Sequence, residues 1–209
     1  MVRKVSVKTR GKTNRKRKSV LLIGAEGKNE TERNYFMSFR NELRTTNIRM
    51  AKGNNTDPIG VVNDTLKAMS EIDFTEGDRV YVFLDYDIRK GKENQKNFEI
   101  AIKKAKDHEM IPIISNPIFE IWYLLHFKYS TKQFNHNNEV IEELKKYISN
   151  YDKSSDVFSL LFGKTKIAID NSKRLNDYHE QNNNVDYISK HPSSDVYLLI
   201  EELMKDLKS

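Results

Sequence analysis

Three acidic residues stand where chemistry is most easily built. Glu26 follows the apolar run Val20–Ile23 across Gly24 and Ala25, directly before Gly27, and Asp85 and Asp87 follow the run Arg79–Leu84. Carboxylates are hard oxygen ligands of the kind that Mg²⁺ and Mn²⁺ take. Two aspartates two positions apart can turn their oxygens toward one point, and like charges held that close repel one another unless a cation intervenes. With such an ion, in-line attack on a phosphodiester becomes feasible at neutral pH. A glutamate at the neighbouring strand end could bind a second ion or take a proton from water. Acids after strands also cap helices and solvate turns, so an Asp-x-Asp alone is weak. Its placement beside a second acid-bearing strand end is what gives it weight.

The elements that would carry these acids follow from hydrophobic pattern. Val20–Ile23 reads as a buried strand ending in a tight loop. A helix over Thr31–Arg44 places Tyr35, Phe36, Phe39 and Leu43 on one face, with Thr31 as a candidate cap. Asn47–Ala51 is a short strand. Asp57 and Pro58 open a helix to about Ile72 that buries Ile59, Val62, Leu66 and Met69. Arg79–Leu84 is a strand and Arg89–Glu93 a charged loop. Gln95–Glu109 is a helix with Phe98, Ile102 and Ala105 inward, Met110–Ile114 a strand, and Ile118–Phe127 an apolar helix. This alternation predicts an α/β fold, a mainly parallel sheet with helices on both faces. In such sheets ligands bind outside the carboxyl ends of the strands, where Glu26 and Asp85 fall. Residues 131–209 change character. Asn138–Ser149 and Asp156–Tyr178 read as helices separated by Asn150–Ser155, and Pro192–Ser194 opens a last helix, Asp195–Leu207. We expect a basic flexible arm over 1–18, an α/β core over 19–130, and a helical C-terminal extension over 131–209 packed on that core.

Composition narrows the class. The 209 residues carry a net charge of +6 and contain no cysteine, which removes disulfides, thiolate catalysis and cysteine-bound zinc. Met1–Lys18 holds nine of the 36 basic residues and no acid, so the remainder carries 27 against 30 acids. Such an arm binds phosphate backbones through counterion release, with Arg15, Lys16, Arg17 and Lys18 as its candidates, or serves only as a solubilising tail. No apolar run reaches the roughly 20 residues of a membrane span, and no secretory signal is visible, so the expectation is a cytoplasmic protein without a membrane partner.

The motifs Glu26–Phe36 (EGKNETERNYF), Asp85–Asp87 (DYD) and Ser115–Phe127 (SNPIFEIWYLLHF) resemble the three signatures of the RloB-like proteins, and His191–Leu203 resembles their C-terminal segment, where the first position is often Asn. The likeness runs from about Ser19 to Leu203. It implies a Toprim-like fold with an acidic metal centre: Glu26 as general acid or base, Asp85 and Asp87 as ligands of Mg²⁺ (or Mn²⁺). It also implies a nuclease acting on RNA or DNA as the effector of a bacterial anti-phage defence system, beside an AAA/ABC-type ATPase partner. No tyrosine stands in a strand-passage context, which speaks against a topoisomerase. A non-catalytic module, binding nucleic acid or an ATPase around a structural cation, stays open as the alternative.

Other residues are read one by one. Glu120 lies inside a strongly apolar stretch, where an unpaired charge costs several kcal/mol, roughly, so it must meet a cation, a metal or a capping partner; it is the fourth candidate for the centre. Asn116 is read as a helix cap or a site contact, and His126 as a core histidine. Lys28 and Arg33 flank the start of a helix and could meet phosphate there, or be solvated. Glu30 and Glu32 are read as helix N-terminal charges.

Overall fold

Val20–Ile23 is four apolar residues in a row, and a strand of that kind needs cover on both faces. The computed structural model, which describes residues 17–27, 30–86 and 91–207, supplies it. Strand β1 (Ser19–Gly24) lies between β2 (Thr46–Met50) and β3 (Arg79–Asp85), and β3 lies beside β4 (Ile111–Asn116), all parallel. A two-residue strand, β5 (Ser193–Ser194), adds antiparallel to β4, giving the order β2-β1-β3-β4-β5.

Alternate side chains of each strand go to opposite faces. Leu21, Ile23, Tyr81, Phe83 and Ile113 meet helix α1 (Glu30–Glu42), whose Tyr35, Phe36 and Phe39 are buried, with Leu43 just beyond it. The same apolar cluster takes in α4 (Glu120–Leu125), α5 (Asn137–Lys145), α6 (Phe158–Phe162), α7 (Thr165–Gln181) and α8 (Val196–Leu207) through Trp122, Val140, Leu161, Leu175 and Leu199. On the other face Leu22, Val80, Val82, Leu84 and Ile114 meet α2 (Pro58–Met69) and α3 (Gly91–Asp107), the latter through Phe98, Ile102 and Ala105 as their spacing predicts. The result is an α/β architecture with a mostly parallel five-stranded sheet flanked by helices and a C-terminal helix, consistent with a Toprim-like fold.

Several local expectations need correction. Thr31 does not cap α1; it lies inside the first turn, buried, its hydroxyl turned to Glu120 and to the carbonyl of Lys153. Asp57 does cap α2, accepting from the Gly60 amide at 2.8 Å, but the buried stripe is Val61, Val62 and Thr65, with Ile59, Leu66 and Met69 only half covered at its margins. Helix α3 begins at Gly91, inside the stretch read as a loop, and α4 is only six residues long. The helix expected over Asp156–Tyr178 is two. Gly163 disfavours helix propagation there, and the Thr165 hydroxyl closes the break by donating to the Phe162 carbonyl at 2.7 Å. Residues 192–194 do not open the last helix. Ser193 and Ser194 pair with Asn116 and Ser115, and the Asp195 amide donates to Ile114.

Asn116 ties this last strand down. Its amide donates to the Tyr187 carbonyl at 2.7 Å, and its oxygen lies 2.7 Å from His191 Nδ1. His191 Nε2 lies 2.9 Å from both the amide nitrogen and the carbonyl oxygen of Phe134, which fixes the ring between the two segments. Asn116 and His191 are thus structural anchors and not part of the acidic site. The bonds Asn116–Pro117 and His191–Pro192 are both cis.

Candidate acidic centre

β1 and β3 are parallel neighbours, yet β1 hands its chain to α1 on one face and β3 to α3 on the other. Between two such strands no crossover covers the carboxyl ends, which is the topological switch point where α/β folds place ligands. Asp85 is the last residue of β3, and Glu26 lies two residues beyond β1; both are half-buried. Gly27 follows because the β1–α1 and β2–α2 loops touch there. Its amide donates to Asn55 O at 2.9 Å, and a Cβ on it would meet Gly53 O at 2.3 Å and Asn54 Cα at 2.4 Å.

Beneath these two acids lie two more. Glu32, in the first turn of α1, and Glu120, the first residue of α4, are each 1% exposed. A helix N-terminus favours negative charge, and the turn of α1 carries both Glu30 and Glu32. Glu120 meets the partner its apolar setting demands. Its Oε1 accepts from the Tyr151 hydroxyl at 3.1 Å, the Thr31 hydroxyl oxygen lies 3.5 Å from it, and the Lys153 ammonium stands 4.0 Å away. The Tyr123 hydroxyl donates to Thr31 O at 3.2 Å and steadies the same turn.

Electrostatics bind the four acids into one unit. Burial pushes the Glu32 carboxyl up to about 8; repulsion from Glu120 and then Glu26 adds to this, while its backbone hydrogen bond and Lys153 pull it back. Burial likewise lifts Asp85 well above the usual carboxylate range, followed by repulsion from Glu32, Glu26 and Glu120, with Lys153 opposing. Carboxylates so placed want a proton or a cation. Among the described residues no three of His, Asp or Glu are disposed to share one metal ion. Mg²⁺ usually takes only one or two protein carboxylates and completes its shell with water and phosphate. The half-exposed Glu26 and Asp85 fit that demand, and the buried Glu32 and Glu120 do not face solvent.

The remaining sequence candidates fall elsewhere. Asp87, Lys28, Arg15 and Lys16 lie outside the described residues. Arg33 is exposed on α1 and makes no hydrogen bond or ion pair among them. Arg17 donates to the Thr75 hydroxyl and to Asp78 Oδ2 at 3.0 Å, and Lys18 donates to Leu43 O at 3.0 Å. Both precede β1 and therefore sit at the amino edge of the sheet. Six residues at ~3.3 Å put them roughly 20 Å from the acids.

Sequence reasoning passed over Glu32, Thr31, Tyr123, Tyr151 and Lys153. Glu32 has a signal, since it sits in the same motif as Glu26, but a helix N-terminal charge favoured by the dipole accounts for it equally well in sequence. Tyr151 and Lys153 had none, because they arrive from a loop more than 30 residues from Glu120 in the chain.

A mostly parallel α/β sheet with acids gathered at its switch point is consistent with a Toprim-like class of domain. The family model of the RloB-like proteins matches residues 21–203, and the chain belongs to that family. No curated protein and no solved structure matches it. No helix among the described residues is long and apolar enough to cross a membrane.

Proposed function

We propose that this protein is a Mg²⁺- or Mn²⁺-dependent nuclease that cleaves a nucleic-acid phosphodiester. The observation that carries the reading is the convergence of Glu26, Asp85, Glu32 and Glu120 on one switch point, with Glu32 and Asp85 both held above the ordinary carboxylate range. Asp85 and Glu26 would hold the ion, joined by Asp87 if its carboxylate turns the same way. A bound divalent ion lowers the pKa of an attached water and neutralises phosphate charge. Glu26, half-exposed, takes the proton of the attacking water or returns one to the leaving oxygen. An arriving cation displaces the proton that burial holds on Glu32, and Tyr151 holds Glu120 in place.

Family membership supports the wider role, that of a nuclease effector in bacterial anti-phage defence working with an AAA/ABC-type ATPase. One observation favours a second reading. Because no three described carboxylates or imidazoles are disposed to share an ion, the centre could hold a cation for structure alone, in a module that binds without cutting. The test offers tRNA, single-stranded RNA and duplex DNA to the full chain with Mg²⁺ or Mn²⁺, with EDTA and Asp85→Ala as controls. Metal-dependent cleavage that the variant loses supports the nuclease. Absence of cleavage both alone and with the partner ATPase supports the binding module.

A further inference from the structure

The segment between α5 and α6 comes from the helical extension, yet hydrogen bonds hold it on the acidic centre. Tyr151 donates to Glu120, the Thr31 hydroxyl donates to Lys153 O at 3.3 Å, and Asn34 Nδ2 donates to Ser154 O at 3.3 Å. The segment also braces itself: Asp152 Oδ1 accepts from the Ser154 amide at 2.8 Å, and Ser155 Oγ accepts from the Asp152 amide at 3.0 Å. The backbone of residue 153 is therefore fixed against the first turn of α1.

Its side chain is not tied down in the same way. Lys153 Nζ is 4.0 Å from Glu120 Oε1, beyond hydrogen-bond length, and the side chain is 56% exposed. That oxygen already accepts from the Tyr151 hydroxyl, so Lys153 is not needed to satisfy it. The ammonium is nonetheless close enough to pull both Glu32 and Asp85 down. A cation anchored by its backbone, open to solvent and bonded to none of the acids beside it is placed to serve a ligand.

The chemistry of the ligand follows from the surroundings. A phosphodiester nearing four carboxylates is repelled, and its non-bridging oxygens need positive charge supplied from the protein as well as from any ion. Lysine meets phosphate as a point charge on a flexible stem. We infer that Lys153 is a phosphate-binding residue of the acidic centre, the ammonium that meets a non-bridging oxygen when a nucleic-acid backbone lies over Glu26 and Asp85. The inference rests on the phosphodiester reading above and adds the residue, from outside the α/β core, through which the extension takes part in substrate binding.

The test measures binding of fluorescein-labelled single-stranded RNA to the full chain in EDTA across a salt series, for wild type, Lys153→Met and Lys153→Arg, alongside cleavage of the same RNA with Mn²⁺. Lys153→Met is expected to weaken binding roughly fivefold and to lower the salt slope by about one ion, while Lys153→Arg keeps both. A merely structural lysine would not change the slope. Binding and cleavage that Lys153→Met leaves as in wild type overturn the assignment alone. Lys153-dependent binding without cleavage, both alone and with the partner ATPase, sustains the phosphate contact and defeats the nuclease reading. A wild-type chain that binds neither this RNA nor labelled duplex DNA overturns both.

Discussion

Glu32 makes the acidic centre measurable without any substrate. Its carboxyl is held near 8 in the fold against 4.5 when exposed, so the native state keeps a proton that the unfolded chain gives up. The sign is then fixed: this contribution to stability is present at low pH and is lost as pH rises from about 4.5 through about 8. His126 opposes it over part of that range. Burial lowers its imidazole from 6.5 to about 4, so its contribution is present above pH 6.5 and is lost as pH falls. Between pH 4.5 and 6.5 the two slopes nearly cancel. Above pH 6.5 Glu32 acts without that opposition, and about 1.5 pH units at roughly 1.36 kcal/mol each give about 2 kcal/mol lost by pH 8. Asp85 adds loss of the same sign. For a chain of this size, 2 kcal/mol lowers the melting midpoint by roughly 4–8 °C. Thermal unfolding in EDTA at pH 6.5 and pH 8 reads this directly, and Glu32→Gln, which has no proton to lose, should reduce the fall to the part that Asp85 contributes. Saturating Mn²⁺ should restore stability at pH 8, by ~2.7 kcal/mol at a hundred times its dissociation constant, and less at pH 5, where protons hold the site. A wild-type profile flat from pH 6.5 to 8, or a fall undiminished in Glu32→Gln, would refute the claim that the acids share one buried field.

Other expectations concern the supports of the centre. Tyr151→Phe removes a donor from a buried carboxylate and should cost about 1–3 kcal/mol in urea unfolding, while Phe keeps the ring packed at its 6.0 Å spacing from Tyr123. Gly27→Ala places a methyl against the backbone of Gly53 and Asn54, which cannot swing aside; a loss of roughly 1–3 kcal/mol with displaced Glu26 and weakened cleavage is expected. His126→Leu removes an imidazole whose Nδ1 lies 2.9 Å from Trp122 O, and it should reduce the acid-side loss of stability between pH 6.5 and 4 by about 3 kcal/mol.

The fold was legible where one period dominated. The apolar run of β1 and the spacings of Phe36 and Phe39 in α1 and of Phe98 and Ile102 in α3 each encode a single burial face, and the structure buries those residues. What was not legible lacked a period. Two residues of β5 cannot show an alternation, and their place in the sheet depends on Asn116 and His191, which meet across 75 positions. The break at Gly163 was overlooked because the apolar residues on either side of it, Leu161 and Ile169, share one cluster and mimic a continuous helix.

The acidic centre divides along the same line. Glu26 and Asp85 were visible because strand ends in an alternating α/β chain point to one edge, and Glu120 was visible because a charge inside an apolar run must be answered. Glu32 is charged, belongs to a helix start, and looks like any dipole-favoured acid; only its 1% exposure distinguishes it from its exposed neighbour Glu30. The basic residues show the converse. Arg17 and Lys18 were singled out for charge density, but their partners are Asp78 and Leu43 O at the far edge of the sheet. Lys153, one lysine among many in sequence, stands beside the acids. A backbone reaching both Lys153 and the start of β1 would have to span roughly 20 Å, about the length of a six-residue strand. Binding at Arg17 and Lys18 is therefore separable from binding at the centre. Charge neutralised at Arg17 should alter affinity and salt dependence without altering the rate of bond cleavage, and substitutions at Asp85 should abolish cleavage without weakening binding.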